Sequence, residues 1–318
     1  MKQIQVSKNE AGQRLDKLLA KYLNKAPKSF IYKMLRKKNI TLNGKKAAGN
    51  EMLTLNDEIK MFLADETIEN FSELKVDRIK PNLKILYEDT NIMIINKPAG
   101  ILSQKAETSD VSMVEHVISY LLDKGEITMD SLQSFKPSVC NRLDRNTSGI
   151  IVAGKSLAGL QTMSEIFKER SLHKYYRCIV NGRLEGRQLI DGYLVKDEKT
   201  NKVRILKEET PDSKYIRTEY EPLFSDERIT YLEVKLITGR SHQIRAHLAS
   251  IGHPIIGDVK YGNRTINEEF RKKCGISRQL LHSYRLEMPQ IKGPLKYLSG
   301  RVFEAEVPQD FKKVLKGF

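Results

Sequence analysis

The chain has few cysteines and no long apolar run. Its three cysteines, Cys140, Cys178 and Cys274, include no Cys-x-x-Cys pair, which argues against a disulfide framework and fits a reducing compartment. The first twenty residues contain no apolar block with a small-residue cleavage site. Even the longest apolar runs of the chain are short, such as Ile92 to Ile95. We therefore expect a cytoplasmic protein that is neither secreted nor embedded in a membrane.

The sequence also lacks internal repeats and low-complexity segments, and 318 residues with 40% apolar content can build a sizeable core. The formal net charge is +15, which favours a polyanionic partner because counterion release from a phosphate backbone rewards clustered cations. Residues 1–65 hold fourteen Lys and Arg against six Asp and Glu, and therefore +8 of the +15. This asymmetry predicts a nucleic-acid contact in the N-terminal part. The alternative is a highly basic solvated surface.

The N-terminal part has the pattern of two helices and a hairpin. Leu15, Leu18 and Leu19 recur at helical spacing, and Ser29 is a plausible cap for a second helix that ends in Arg36-Lys37-Lys38. A short apolar run then enters an Asn43-Gly44 turn, which is typical of a β-hairpin.

This arrangement resembles the αL RNA-binding domain shared by a small-subunit ribosomal protein and several RNA-modifying enzymes. The alternative is an unrelated small helical domain. The resemblance implies that the basic side chains of this part contact RNA. The candidates are Arg14, Lys17, Lys28, Arg36, Lys37 and Lys38.

The remainder has more strands than helices and no βαβ rhythm. We therefore predict an α+β class, with a mixed, mostly antiparallel sheet flanked by helices and a small N-terminal αL domain. Ser112 with Glu115, and Ser156, are typical N-caps of two helices. Residues 66–81 are charged and weakly periodic, and Pro81 ends them, which indicates a linker between a domain at 1–65 and a domain at 82–318.

One segment places a carboxylate between two arginines. Asp144 lies between Arg142 and Arg145, and small turn-forming residues follow as far as Gly149. Neighbouring guanidinium groups favour the ionised carboxylate, which can act as a nucleophile or an electrostatic stabiliser. The apolar run from Ile150 to Ala153 predicts a loop that leads into a core strand. By itself, the pattern also fits a structural ion pair.

A second segment, residues 238–258, contains three histidines and two arginines. His242 and His247 are five residues apart, which is the wrong spacing for one helix face, and no flanking carboxylate completes a ligand set. We therefore expect no metal. Arginines at a strand-to-helix junction suit a phosphate or a carboxylate, because guanidinium forms bidentate pairs.

The segment around Asp144 resembles the catalytic motif of the RluA-type family of RNA pseudouridine synthases, His-Arg-Leu-Asp followed by Thr-Ser-Gly. Asn141 stands where His is usual and Asn146 where an acid is frequent, and we expect both changes to affect the shape of the loop. Residues 238–262 and the run from Lys174 to Gly182 match the same family. The resemblance implies the pseudouridine synthase fold and an isomerisation of uridine that needs no cofactor.

The family resemblance also implies roles for single residues. It assigns Asp144 as the nucleophile, Arg245 as its partner, and Tyr176 rather than Tyr175 to the face of the uracil. A structural ion pair is the alternative for Arg245, and whichever of Tyr175 and Tyr176 lies outside the site is expected to be a core tyrosine. Further expected RNA contacts are Leu281 in the wall of the base pocket, Arg142 as a wedge in the vacated stack, and Arg240 and His242 at the loop or at a phosphate.

The family members with an appended domain imply ribosomal RNA of the large subunit as the substrate, with transfer RNA as an alternative. Single-stranded or looped RNA is expected, because A-form helices hide their base edges. A non-catalytic RNA-binding or ribosome-assembly factor with the same fold is a competing hypothesis, and a hydrolase is a third. The combination of Asp144, Tyr176 and Arg245 favours the synthase. We expect RNA as the partner, no protein partner, and a monomer.

Overall fold

The N-terminal part of the chain folds around a small core of its own. The computed structural model describes residues 1–74, 76–197, 200 and 202–317. Four short strands form a sheet in the order β1-β4-β2-β3, all antiparallel, and three helices accompany it. The elements are β1 Lys2–Gln5, α1 Leu15–Tyr22, α2 Lys28–Arg36, β2 Ile40–Leu42, β3 Lys45–Lys46, β4 Glu58–Met61 and α3 Asp65–Phe71.

The predicted helical pattern gives α1 its buried face. Leu15, Leu18 and Leu19 are fully buried against α2 and the small sheet, as the 3.6-residue period requires. The predicted cap Ser29 is wrong, because α2 begins at Lys28 after Pro27. Proline has the extended backbone that the residue before a helix adopts, with φ −64° and ψ 148°, so Ser29 lies in the first turn.

The predicted linker at 66–81 contains ordered structure that the sequence pattern did not indicate. The helix α3 runs to Phe71, whose ring lies 4.5 Å from that of Phe30 in the N-terminal core. Further on, Leu74 packs on a core of the C-terminal part, and Ile79 N donates to Ser119 Oγ at 3.1 Å. The helix was missed because its apolar residues are too few for a clear helical period among many charges.

Side-chain hydrogen bonds join the N-terminal part to the C-terminal part. Ser134 Oγ donates to the buried Glu10 carboxylate at 2.6 Å, and Leu157 N donates to Asn9 Oδ1 at 3.2 Å. Glu10 also accepts from Ser7 N at 2.9 Å. Undocking would break the charge-assisted hydrogen bond from Ser134 to Glu10, whereas the local bond from Ser7 would remain.

The C-terminal part is built on a mixed sheet, as predicted. Within the described residues it has eleven strands, and the main path runs β11-β10-β12-β13-β9-β14-β8-β6-β5; β15 pairs with β14 and β7 with β8. Among the described strand pairs only β8 with β14 is parallel. The strands are β5 Ile85–Glu88, β6 Ile92–Lys97, β7 Ser138–Val139, β8 Ser148–Gly154, β9 His173–Asn181, β10 Gln188–Asp197, β11 Lys202–Leu206, β12 Lys214–Ser225, β13 Ile229–Leu236, β14 Leu281–Glu287 and β15 Val302–Glu304.

The helices bury both faces of the sheet at β6 and β8. Alternate residues of these strands pack towards opposite sides, so that Ile94 and Met93 belong to different cores, as the two-residue period of a strand requires. Ser112 and Ser156 cap the two covering helices, as predicted. No described helix has the length and apolarity to cross a membrane. The helices are α4 Met113–Asp123, α5 Ser131–Ser134, α6 Leu157–Glu169, α7 Gln243–Ser250, α8 Arg264–Cys274, a 3₁₀ helix Gly293–Leu298 and α9 Gln309–Lys316.

Gly149 allows the Asp144 loop to run directly into the sheet. It lies in β8 with φ +110° and pairs with Ser283 of β14. A Cβ atom at this position would lie 2.2 Å from the Ser283 carbonyl oxygen. Only glycine fits this close parallel approach, because other residues would both clash and adopt a strained φ.

The variant Gly149→Ala should therefore be strongly destabilised. We expect its free energy of unfolding to fall by about 3 kcal/mol or more, from backbone strain together with the clash. Urea denaturation measures this change. The control Gly186→Ala also has a positive φ, +66°, but its Cβ would meet no atom within 4 Å, and it should lose only about 1–2 kcal/mol. Equal losses in the two variants would contradict the role of the close approach.

Candidate active site

A cationic cleft of about 1070 Å³ contains the Asp144 loop. Ten Lys and Arg residues line it, and Asp144 is the sole acidic residue among the described lining residues. Several of the cations come from strands and loops far from Asp144 in sequence. They are Lys105, Lys196, Lys202, Lys214 and Lys260. The cleft therefore attracts anions.

Hydrogen bonds inside the protein fix the loop that carries Asp144. Leu143 N donates to Ser103 Oγ at 2.9 Å, and Ser103 Oγ donates to Leu143 O at 2.8 Å. Thr147 N donates to Asp144 O at 3.0 Å, closing a turn directly after the carboxylate. The backbone of Asp144 is therefore held on both sides, and its carboxylate has a defined direction.

Asn141, which replaces the usual histidine of the motif, is part of the loop's frame. Val152 N donates to Asn141 Oδ1 at 2.8 Å, and Asn141 Nδ2 donates to Ile150 O at 3.4 Å. These contacts fasten the start of the loop to β8. That this change affects the shape of the loop stays a prediction.

Lys97 supports the loop that carries Asp144, a role that the sequence analysis did not predict. Its side chain is completely buried at the end of β6, and Nζ donates to Pro98 O, Ile101 O and Arg145 O at 2.8–3.0 Å. Burial lowers the pKa of Lys97 to about 7, although Asp144 raises it. One side chain thus joins β6 to the segment directly after Asp144.

Arg245 bridges two carboxylates. Its Nη1 donates to Asp144 Oδ2 at 2.7 Å, and its Nε and Nη2 donate to Asp258 at 2.7 and 2.9 Å. Burial lowers the pKa of Arg245, but Asp258 and Asp144 raise it more, so the guanidinium stays charged. The predicted partner of Asp144 is therefore in contact with it, across 101 residues of sequence.

Asp258 is a functional candidate that the sequence analysis missed. Its side chain is fully buried, and besides Arg245 it accepts hydrogen bonds from Lys260 N at 2.8 Å and Tyr261 N at 3.1 Å. Burial raises the pKa of Asp258, but the hydrogen bonds from Arg245 outweigh it and the net shift is downward. The available signal was a lone acid after the apolar run Ile255-Ile256 in the matching segment. Asp258 fixes the plane of Arg245 and leaves Nη1 for Asp144.

His242 lies beside the same carboxylate without a hydrogen bond to it. Its Nε2 is 3.8 Å from Asp144 Oδ2, which is too far, and its Nδ1 is 2.9 Å from the Tyr261 hydroxyl. Burial lowers the pKa of His242, although Asp144 raises it. The backbone of His242 has φ 54° directly before α7. This residue shapes the turn that presents Arg245.

The structure separates the two tyrosines of the predicted site. Tyr176 is buried and lines the cleft, and burial raises its pKa to about 12. Tyr175 does not line the cleft, and its ring stacks at 4.0 Å on Arg285. Leu281 is buried in the cleft wall at the start of β14. Tyr176 and Leu281 are therefore placed where a base could lie.

The predicted RNA contacts form two separate groups. Arg142 and Arg240 are exposed and line the cleft together with His242. The N-terminal candidates do not line it, and Arg14 is paired with Asp16 at 2.9 Å. All of these N-terminal side chains are exposed. They are Arg14, Lys17, Lys28, Arg36, Lys37 and Lys38.

The described part of the chain contains no group of three or more His, Cys, Asp or Glu arranged to hold a metal ion. Its cysteines are free. Burial raises the pKa of Cys140, which lies close to Asp144 in sequence, to about 12. A thiol with that pKa is a poor nucleophile at neutral pH.

Comparison with known proteins identifies the family. A family model described as RNA pseudouridylate synthase matches residues 91–250, and an S4 domain model matches residues 13–59. An uncharacterized RNA pseudouridine synthase of Mycoplasma genitalium is 32% identical over 90% of this chain and 89% of its own length. The chain belongs to the RNA pseudouridine synthase family. It is an isomerase that acts on RNA and carries an N-terminal S4 domain.

Two further comparisons agree with this assignment. A ribosomal large subunit pseudouridine synthase C of Buchnera aphidicola is 30% identical over 88% of this chain and 87% of its own. The solved structure of human RNA pseudouridylate synthase domain containing 4 has a TM-score of 0.58 at 23% identity, covering 73% of this chain and 92% of that one. That structure supports the fold.

Asp258→Asn should impair the synthase through Arg245. A neutral amide leaves the buried guanidinium undercompensated, so we expect the free energy of unfolding to fall by about 3–5 kcal/mol. Turnover should also fall in the fraction that remains folded. Circular dichroism and pseudouridine formation measure the two effects. The control Asp123→Asn removes an exposed partner of Arg78 and should change stability by less than about 1 kcal/mol. Unchanged turnover in folded Asp258→Asn would show that Asp258 does not position Arg245.

Proposed function

We propose that this synthase isomerises uridines of large-subunit ribosomal RNA, with Asp144 as the nucleophile. The observation that carries the proposal is the position of Asp144, the sole acidic residue among the described lining residues of a cationic cleft, paired with Arg245 at 2.7 Å. The substrate class is supported by the relatives that are named ribosomal large subunit pseudouridine synthase C. Transfer RNA is the alternative substrate.

The reaction breaks the bond between N1 of uracil and the ribose, turns the base, and joins C5 to the same ribose carbon. The proton on C5 is lost and N1 gains one, so atoms balance without a cofactor. Asp144 either attacks the nucleoside and is released again before the product leaves, or assists departure of the base. Arg245 directs the carboxylate into the cleft.

Tyr176 offers the detached base a flat surface. With its pKa raised to about 12, the phenol is neutral at physiological pH, so it acts as a stacking face and a hydrogen-bond donor. Leu281 closes the pocket on an apolar side. Both contacts confine the uracil during its rotation, when no covalent bond retains it.

A stacked or paired uridine must leave its neighbours before it reaches Asp144. This step costs a few kcal/mol, and something must occupy the gap. Arg142 is exposed at the cleft, two residues before Asp144. A guanidinium plane can stack on bases while it contacts phosphates, so we assign Arg142 as the wedge.

Asp144→Asn should abolish isomerisation and leave RNA affinity nearly intact. The amide is isosteric but not nucleophilic, and we expect turnover to fall by about 10⁴-fold or more. The measurement is mapping of pseudouridines in unmodified transcripts of large-subunit ribosomal RNA and of transfer RNAs. Asp212→Asn, at an exposed turn, is the control and should retain full activity. Appreciable pseudouridine from Asp144→Asn would refute the nucleophile, and product only in transfer RNA would correct the substrate.

The S4 domain should supply phosphate contacts through the end of α2. Replacing Arg36, Lys37 and Lys38 by Gln should weaken binding and reduce the slope of log K against log salt by about 2, because each phosphate contact contributes ~0.7–0.9. The same three residue types, Arg271-Lys272-Lys273, end α8 and provide a matched triple control. Equal slopes for the two triple variants would argue against a specific contact at α2.

A further inference from the structure

A cluster of cations on one wall of the cleft has no part in the mechanism above. Lys174 lies on β9 two residues before Tyr176, and both side chains line the cleft. Side chains two apart on a strand share a face and are separated by about 6.6 Å along it. The Lys174 ammonium is therefore a near neighbour of the surface assigned to the uracil.

Gly239 provides the space that Lys174 occupies. A Cβ atom on Gly239 would lie 3.1 Å from Lys174 Nζ, so a larger residue would press on the ammonium. Burial, together with the charge of Arg170, lowers the pKa of Lys174 to about 8. The side chain is thus largely enclosed, with one neighbouring cation and an opening into the cleft.

Arg240 and Arg170 complete the cluster. Arg240 follows Gly239 and lines the cleft, and burial together with Arg170 lowers its pKa. Arg170 ends α6 with a left-handed backbone, φ 58°. Within the described residues, no carboxylate affects the pKa of Lys174 or Arg240. Arg170 therefore repels both Lys174 and Arg240, an arrangement that a bound anion would stabilise.

The cluster is distinct from the supports of Asp144. Asp144 raises the pKa of Lys97 and of Arg245, but it has no such effect on Lys174. The charge of Lys174 is therefore available to a ligand. In an RNA the fixed anionic groups are the backbone phosphates, which guanidinium and ammonium groups bind through charge-assisted hydrogen bonds.

We propose that Lys174 and Arg240, supported by Arg170, bind one backbone phosphate beside the nucleotide whose base faces Tyr176. This inference rests on the proposed function, because it takes RNA in this cleft as the substrate. Phosphate contacts fix the register of a nucleic acid without reading its sequence. The subsite would thus hold the target nucleotide by its backbone while its base is detached and turned.

The first arm of the test measures the salt dependence of RNA binding in an Asp144→Asn background, where the RNA stays unmodified. The probe is a short hairpin that contains a uridine mapped in the transcript experiment. Lys174→Gln should weaken binding about tenfold and reduce the salt slope by about 0.7. Lys174→Arg keeps the charge and should retain the slope. Lys168→Gln, exposed on α6, is the matched control.

The second arm locates the phosphate. Each phosphate of the hairpin in turn is replaced by a neutral methylphosphonate. In the Asp144→Asn protein that retains Lys174, the replacement should lower affinity at one position flanking the target uridine. In the protein that also carries Lys174→Gln, the replacement at that position should lower affinity no further. A folded Lys174→Gln that keeps the slope and remains sensitive at every position would overturn the proposal. So would Lys174→Arg binding as weakly as Lys174→Gln.

The two proposals can fail separately. Pseudouridine formation is measured with the wild-type protein on transcripts, whereas the phosphate subsite is tested by RNA affinity alone. If no transcript yields pseudouridine, single-stranded oligouridylate replaces the hairpin in the first arm, and the comparison of Lys174→Gln with Lys174→Arg decides the subsite. A charge effect there would support the subsite even though the proposed substrate had failed.

Discussion

The catalytic part of this synthase depends on one guanidinium shared by two carboxylates. A buried ion pair offsets its desolvation only when its remaining hydrogen-bonding groups are also satisfied. Asp258 meets this condition with two bonds from Arg245 and two from backbone amides. Arg245 is thereby fixed before any substrate arrives, and its Nη1 is left to donate a hydrogen bond to Asp144. A flexible arginine would lose that advantage, because orienting it would cost entropy at each turnover.

The same arrangement explains why the Asp144 loop needs so many supports. The cleft carries ten cations, and an unrestrained carboxylate could pair with several of them. Lys97 and Ser103 bind backbone atoms on either side of Asp144, and Gly149 joins the end of the loop to β14. These contacts restrict the carboxylate to Arg245.

Local patterns in the sequence predicted those features of the fold that depend on residues close together in the chain. The buried face of α1 and the caps Ser112 and Ser156 follow from spacing alone. The family resemblance named Asp144, Tyr176 and Arg245 as a group, and the structure brings them to one cleft. Their chemical roles stay predictions.

Contacts between distant residues could not be predicted in this way, because no periodicity records them. Lys97 is the last residue of an apolar strand, where the sequence alone suggests an exposed lysine. Only the structure shows the three carbonyl oxygens that its ammonium group binds. The charge of the cleft was hidden for the same reason, since four of its lysines come from β9, β10, β11 and β12. Composition alone drew attention to residues 1–65. The fold gathers a second basic surface around Asp144. Under the proposed function one set of charges there would serve both RNA binding and catalysis, whereas the S4 domain would contribute affinity without affecting the chemistry.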